Sequence, residues 1–99
     1  MNLIDLNIDT IKALCLKHKV DKLFVFGSIL TDNFKSSSDI DLLVFFRKIE
    51  LYDYADNYFD LKTSLEKLLN RPIDLLEDKA VKNPYLRKPI DSSKKMIYG

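Results

Sequence analysis

The chain has 99 residues, with 16 Lys plus Arg against 15 Asp plus Glu, a formal net charge of +1 and 46% hydrophobic residues. That size leaves room for a single domain with one core, the composition is globular, and the charge balance excludes binding to nucleic acid through a broad basic surface. Cys15, the lone cysteine, excludes an internal disulfide and a multi-cysteine zinc site, and the longest apolar run, residues 42–46, is too short to span a bilayer. The first residues lack the basic start and apolar stretch of a signal peptide, so a soluble cytoplasmic chain is the expectation.

In chain order, Asp9 or Thr10 is placed to cap a first helix that ends near His18, with Ile11, Leu14 and Cys15 on its apolar stripe. Lys17, His18 and Lys19 fall in its last turn, where positive charge suits the helix dipole. Residues 22–26 are apolar on both faces, as a central strand requires, and Gly27-Ser28 ends them. A short, irregular helix is expected over residues 29–34, a loop at 36–38, and a second strand over 39–46. The longest helix spans Leu51–Leu69, with Leu51, Tyr54, Tyr58, Leu61, Leu65 and Leu68 stepping by three and four. Asn70-Arg71-Pro72 breaks it, and residues 73–76 form a third strand. Asn83 caps and Pro84 opens a last short helix. Pro89 should stop or kink that helix, because it removes a backbone donor and crowds the preceding turn. Residues 95–98 can add an edge strand. Helices alternating with strands imply an α/β (α+β) domain over residues 1–99, with a small central sheet flanked by helices.

Of the 15 acids, twelve are Asp. Asp39-Ile40-Asp41 opens the second strand, where residues two apart project to one face, so two carboxylates can converge on divalent ions. Twelve aspartates generate about one or two Asp-x-Asp pairs by chance, so the pair alone is a weak signal. Asp41 is more telling: it lies inside an apolar strand, where an unpartnered carboxylate is costly. The tetrapeptide at 40–43 recurs as Ile73-Asp74-Leu75-Leu76, and the helix between the two copies is long enough for a crossover into one sheet. Three aspartates meeting at one sheet end would raise one another's pKa values, a conflict that divalent cations resolve. The alternative is a structural salt bridge for each Asp. Gly27-Ser28 at a strand end lets the backbone approach a bound group and supplies N–H and hydroxyl donors suited to phosphate, although the same pair also makes an ordinary turn.

Taken together, Gly27-Ser28, ten residues, Asp39-Ile40-Asp41 and a later Asp74 resemble the motif of the minimal nucleotidyltransferases of the DNA polymerase beta superfamily. The likeness extends from the first helix to the segment Pro84-Tyr85-Leu86-Arg87. It implies the nucleotidyltransferase fold and an enzyme that transfers a nucleoside monophosphate from a nucleoside triphosphate, here ATP, to a hydroxyl. Carried over by position, Asp39 and Asp41 would hold two Mg²⁺ ions, and Gly27 and Ser28 would hold the β- and γ-phosphates. Asp74 would complete one metal site and accept the proton of the acceptor hydroxyl. The chain departs from many members after Gly27-Ser28, where Ile29-Leu30-Thr31-Asp32 replaces an arginine-rich segment. Lys35 and Lys62 are then the candidates for triphosphate counter-charge, with a solvated surface position as the alternative for each.

Other residues read as structure. His18 suits a helix end or the surface, Cys15 a buried small hydrophobe, and the tyrosines and phenylalanines mostly packing. Larger nucleotidyltransferases use a second domain to bind the acceptor. Without one, a partner or a second copy should complete the site, which leaves a homo-oligomer open. Resemblance to the antitoxin branch implies a HEPN-type ribonuclease toxin as that partner, adenylylated on a tyrosine. Transfer to a small-molecule hydroxyl and a non-catalytic binding antitoxin are the alternatives. No direct contact with nucleic acid or membrane is expected. Tyr85, Leu86, Ile90, Ile97 and Tyr98 are the expected partner-facing residues.

Overall fold

Side-chain alternation along the strands decides the architecture. In the computed structural model, which describes residues 2–99, the elements run α1 (Asn2–Leu6), α2 (Ile8–Lys17), β1 (Val20–Phe26), a 3₁₀ turn (Gly27–Leu30) and β2 (Ile40–Phe46). They continue with α3 (Leu51–Leu69), β3 (Ile73–Glu77), a second 3₁₀ turn (Asp78–Ala80), α4 (Pro84–Ser93) and β4 (Lys95–Tyr98). The sheet order is β3-β2-β1-β4, with β2 and β3 parallel and β1 antiparallel to both β2 and β4. This is the mixed, helix-flanked α/β sheet expected from the sequence.

One face of the sheet, built from Leu23, Val25, Ile40, Leu42, Val44, Ile73 and Leu75, is buried against Ile4, Ile11, Cys15, Leu61, Leu65 and Leu69 of the first three helices. The other face carries a smaller cluster, Leu43, Val81 and Ile90, with Phe24, Phe26, Phe45 and Leu76 packed around it. Cys15 is fully buried and its thiol pKa is pushed up to about 12 by burial, as suits a packing residue.

Several boundaries differ from the sequence reading. The first long helix begins at Ile8, with Asp9 and Thr10 inside its first turn instead of capping it, because the α1 turn precedes it and Asn7 sits at the junction. The Asn7 amide donates backward to the Leu3 carbonyl at 2.8 Å instead of capping α2. His18 takes the helix-end role: it is buried, and its Nδ1 lies 2.8 Å from the Leu14 carbonyl. On α3 the inward stripe is as expected from Tyr54 to Leu68, but Leu51 is exposed and Leu69 is buried in the larger core. Asn70 ends α3 in the left-handed conformation.

α4 starts as expected, with the Asn83 side chain accepting from the Tyr85 N–H at 2.9 Å and Pro84 in the first turn. It does not stop at Pro89 but runs on to Ser93. The proline removes one hydrogen bond, and the turn beyond it is held by Ile90, buried on the small cluster, and by the Ser93 hydroxyl, which donates to the Pro89 carbonyl at 2.8 Å. Arg87 ties this helix down: it pairs with Asp78 and Asp91 and donates to the Asp78 and Val81 carbonyls at 3.0 Å each. Ile90 and Ile97 are thus core residues and cannot face a partner; Tyr85 and Leu86 are exposed.

Candidate active site

β1 ends, and β2 and β3 begin, at the same edge of the sheet, so that edge gathers the residues singled out above. The repeated tetrapeptides pair in register: Ile40 with Ile73, Asp41 with Asp74, Leu42 with Leu75 and Leu43 with Leu76. Because Ile40, Leu42, Ile73 and Leu75 go into the larger core, Asp41 and Asp74 must project together from the opposite face. On its other side Asp41 pairs with Phe26, the last residue of β1, which puts Gly27 next to it. Asp39 lies one residue before β2, because the ladder starts where the Ile40 N–H donates to the Pro72 carbonyl at 3.1 Å.

Gly27 has φ of +83°, and a side chain here would run straight into Asp41: an added Cβ would overlap Oδ2 and stand 3.1 Å from Cγ. Glycine is therefore required twice over, by the left-handed backbone and by the carboxylate against it. The 3₁₀ turn starts at Gly27 itself instead of at Ile29, which places Gly27 and Ser28 in the first turn, where backbone N–H groups lack partners within the turn. The Ser28 carbonyl accepts from both the N–H and the hydroxyl of Thr31, at 2.9 and 2.8 Å, which fixes the turn.

The three carboxylates interact electrostatically. Asp41 is half-buried and its pKa is raised, first by burial and then by the charges of Asp74 and Asp39. Among the described residues none of the three is in an ion pair, so the salt-bridge alternative is not what the fold has built. Nor do any three His, Cys, Asp or Glu side chains among the described residues close a cage around one point. Hard oxygen donors that repel one another suit Mg²⁺, which takes one or two carboxylates and fills its octahedron with water and substrate phosphate.

Lys62 is on α3, in the layer that covers the opposite face, and does not share a face with the carboxylates. Lys35 is exposed on the loop that enters β2. Sequence reasoning missed what holds that loop. Arg71 donates to the Lys35 carbonyl at 2.6 Å and to the Ser38 carbonyl at 3.3 Å, while its guanidinium sits 4.4 Å from the centre of the Phe34 ring. The only clue was that Arg71 lies two residues before the third strand. Tyr58 was read as packing alone, yet its hydroxyl donates to the Leu75 carbonyl at 2.5 Å, next to Asp74, and its pKa is raised first by burial and then by the charge of Asp74.

The family model described as polymerase beta nucleotidyltransferase matches residues 9–99. The chain belongs to that family. It is 40% identical over 87 residues to a Methanocaldococcus jannaschii protein named "Putative protein adenylyltransferase", covering 88% of this chain and 84% of that one. Among solved structures, a "putative minimal nucleotidyltransferase" matches with a TM-score of 0.75 at 28% identity, over 96% of this chain and 95% of the other. Two complexes share the nucleotidyltransferase fold at lower identity. A toxin–antitoxin with AMP-PNP matches at TM-score 0.70 and 21% identity, over 94% of this chain and 73% of that chain. A tri-AMPylated Shewanella oneidensis HEPN toxin in complex with MNT antitoxin matches at TM-score 0.65 and 20% identity, over 96% and 71%. Among the described residues, no helix of this nucleotidyltransferase is long and apolar enough to cross a membrane.

Proposed function

We propose that this nucleotidyltransferase transfers AMP from ATP, with Mg²⁺, to a tyrosine hydroxyl of a HEPN-type toxin, and so serves as a protein adenylyltransferase antitoxin. The observation that carries the reading is the register that sets Asp41 opposite Asp74 and presses Gly27 against Asp41. The names of the relative and of the two complexes support a protein acceptor and an adenine nucleotide.

Asp39 and Asp41 would hold two Mg²⁺ ions, with Asp74 completing one of the sites. Bound there, the metal supplies charge neutralisation for the phosphates and for the entering and leaving oxygens. Gly27, lacking a side chain, leaves the turn N–H groups open to the β- and γ-phosphates, and the Ser28 hydroxyl adds a donor. Asp74 is exposed on the edge strand, where an acceptor can reach it, and takes the proton of the attacking hydroxyl. The acceptor oxygen bonds to the α-phosphorus, the bond from that phosphorus to its bridging oxygen breaks, and pyrophosphate leaves with the electron pair. Lys35, exposed on the loop that enters β2, is the remaining counter-charge candidate.

The test incubates the chain with Mg²⁺, labelled ATP and the product of a neighbouring toxin-like gene, followed by intact-mass spectrometry. AMP on the partner, abolished by Asp39→Ala/Asp41→Ala, is the expected result. A tight complex formed equally by both versions, with no added mass, overturns the catalytic reading in favour of a binding antitoxin.

A further inference from the structure

α2 and α3 cover the same face of the sheet, so their outward sides look into solvent in the same direction. On α3, Tyr52 is 95% exposed and Phe59 59% exposed, seven residues apart with exposed Ala55 between them, an apolar stripe at helical spacing. One position further along, Asp53, Asp56 and Asp60 repeat that spacing as an acidic rail beside the stripe, all three exposed. α2 carries a mostly basic set. Leu16 is 64% exposed next to exposed Ala13, flanked by Lys12 and Lys17, with Lys19 just beyond, Asp9 the one acid on the same stripe, and Leu6 of α1, 82% exposed, extending the apolar area. None of these charged residues is in an ion pair among the described residues, and none belongs to the candidate active site.

Exposed large apolar side chains on two neighbouring helices, one bordered by three acids and the other by three lysines against the single acid Asp9, form a face that is largely complementary to itself. A two-fold axis running through the helical layer would lay α2 of one copy on α3 of the other and α3 on α2, satisfying both halves at once. An unrelated protein would have to bring its own basic apolar surface to α3 and its own acidic one to α2; this chain supplies both. We propose that the chain forms an isologous dimer through this α2–α3 face. The carboxylate site lies on the opposite face of the sheet, so the dimer leaves both sites open, and the inference stands apart from what the acceptor is.

The test is sedimentation velocity of the full chain from about 1 to 100 μM, at about 50 mM and about 500 mM salt. The expected species has twice the 11.6 kDa chain mass, and its dissociation constant rises about tenfold or more at the higher salt. Asp56→Lys/Asp60→Lys and Lys12→Glu/Lys17→Glu should each be monomeric alone, because each opposes like charges at both contacts. Mixed together they should form a heterodimer, in which every contact again pairs opposite charges. That recovery separates a docking effect from damage to folding. A wild-type chain that stays monomeric throughout, reversed chains that dimerise undiminished by themselves, or a mixture that stays monomeric overturns the proposal.

Discussion

The two faces of the sheet are built from the same strands and do opposite things. The face covered by α1, α2 and α3 is closed, with Leu42, Val44, Leu23, Val25 and Leu75 almost fully buried. The other is covered only by α4 and the second 3₁₀ turn, over Leu43 and a fringe of half-buried phenylalanines, and it ends in Asp39, Asp41 and Asp74. Period-two alternation makes this division available: β2 and β3 each send one residue into the core and the next, Asp41 or Asp74, to the candidate site. The difference teaches that the carboxylates can be costly, because the closed face, and not the open one, carries most of the apolar burial.

The sharpest way to test this division is to damage each face separately. Asp39→Ala/Asp41→Ala should lower nucleotidyl transfer by about a hundredfold or more while the far-ultraviolet circular dichroism and the melting curve keep their folded form. An active double variant would dissociate the open face from catalysis. Leu65→Ala, on the closed face, should lose about 2–5 kcal/mol of stability in denaturant titration, with activity per folded molecule unchanged. Gly27→Ala joins the two effects, since its Cβ would displace Asp41 and its φ is left-handed. A stability loss of about 1–2 kcal/mol accompanied by a much larger loss of transfer is expected, read from a melt and an activity assay on one sample.

The smallest effect has the opposite sign. Asp41 has a raised pKa, so the metal-free chain loses stability as pH climbs from the ordinary aspartate value through the raised one: the unfolded chain gives up its proton first. Below the ordinary value both states are protonated and the effect vanishes. Asp41→Asn should therefore melt a few degrees higher than wild type at about pH 7 without metal, with the gap closing near about pH 3. Added Mg²⁺ should raise the wild-type melting temperature and leave the variant's little changed. A variant that melts below wild type at neutral pH would show that Asp41 is a structural residue.

Much of this was legible without coordinates. Strands β1, β2 and β3 and the limits of α3 follow from apolar runs and helical periodicity, and the spacing from Gly27 to Asp41, with the echo at Asp74, identified the candidate site, because local pattern and family motif are both one-dimensional signals. What the sequence could not convey depends on neighbours distant along the chain. Pro89 was expected to stop or kink α4, and the helix does not stop there, because propensity is a local cost and Ile90 is held by a core that forms only in the folded state. Lys62 was considered for the phosphates, but the layer assigned to α3 puts it behind the sheet. Arg71 was overlooked because its partners, Lys35 and Ser38, are more than thirty residues away and are backbone carbonyls, which no sequence pattern marks. The residues of the candidate site were thus written in the sequence by itself; their register, the glycine-tight fit against Asp41 and the arginine that holds the loop were decided by the tertiary structure, since only the packed sheet brings the edges of three strands to one place.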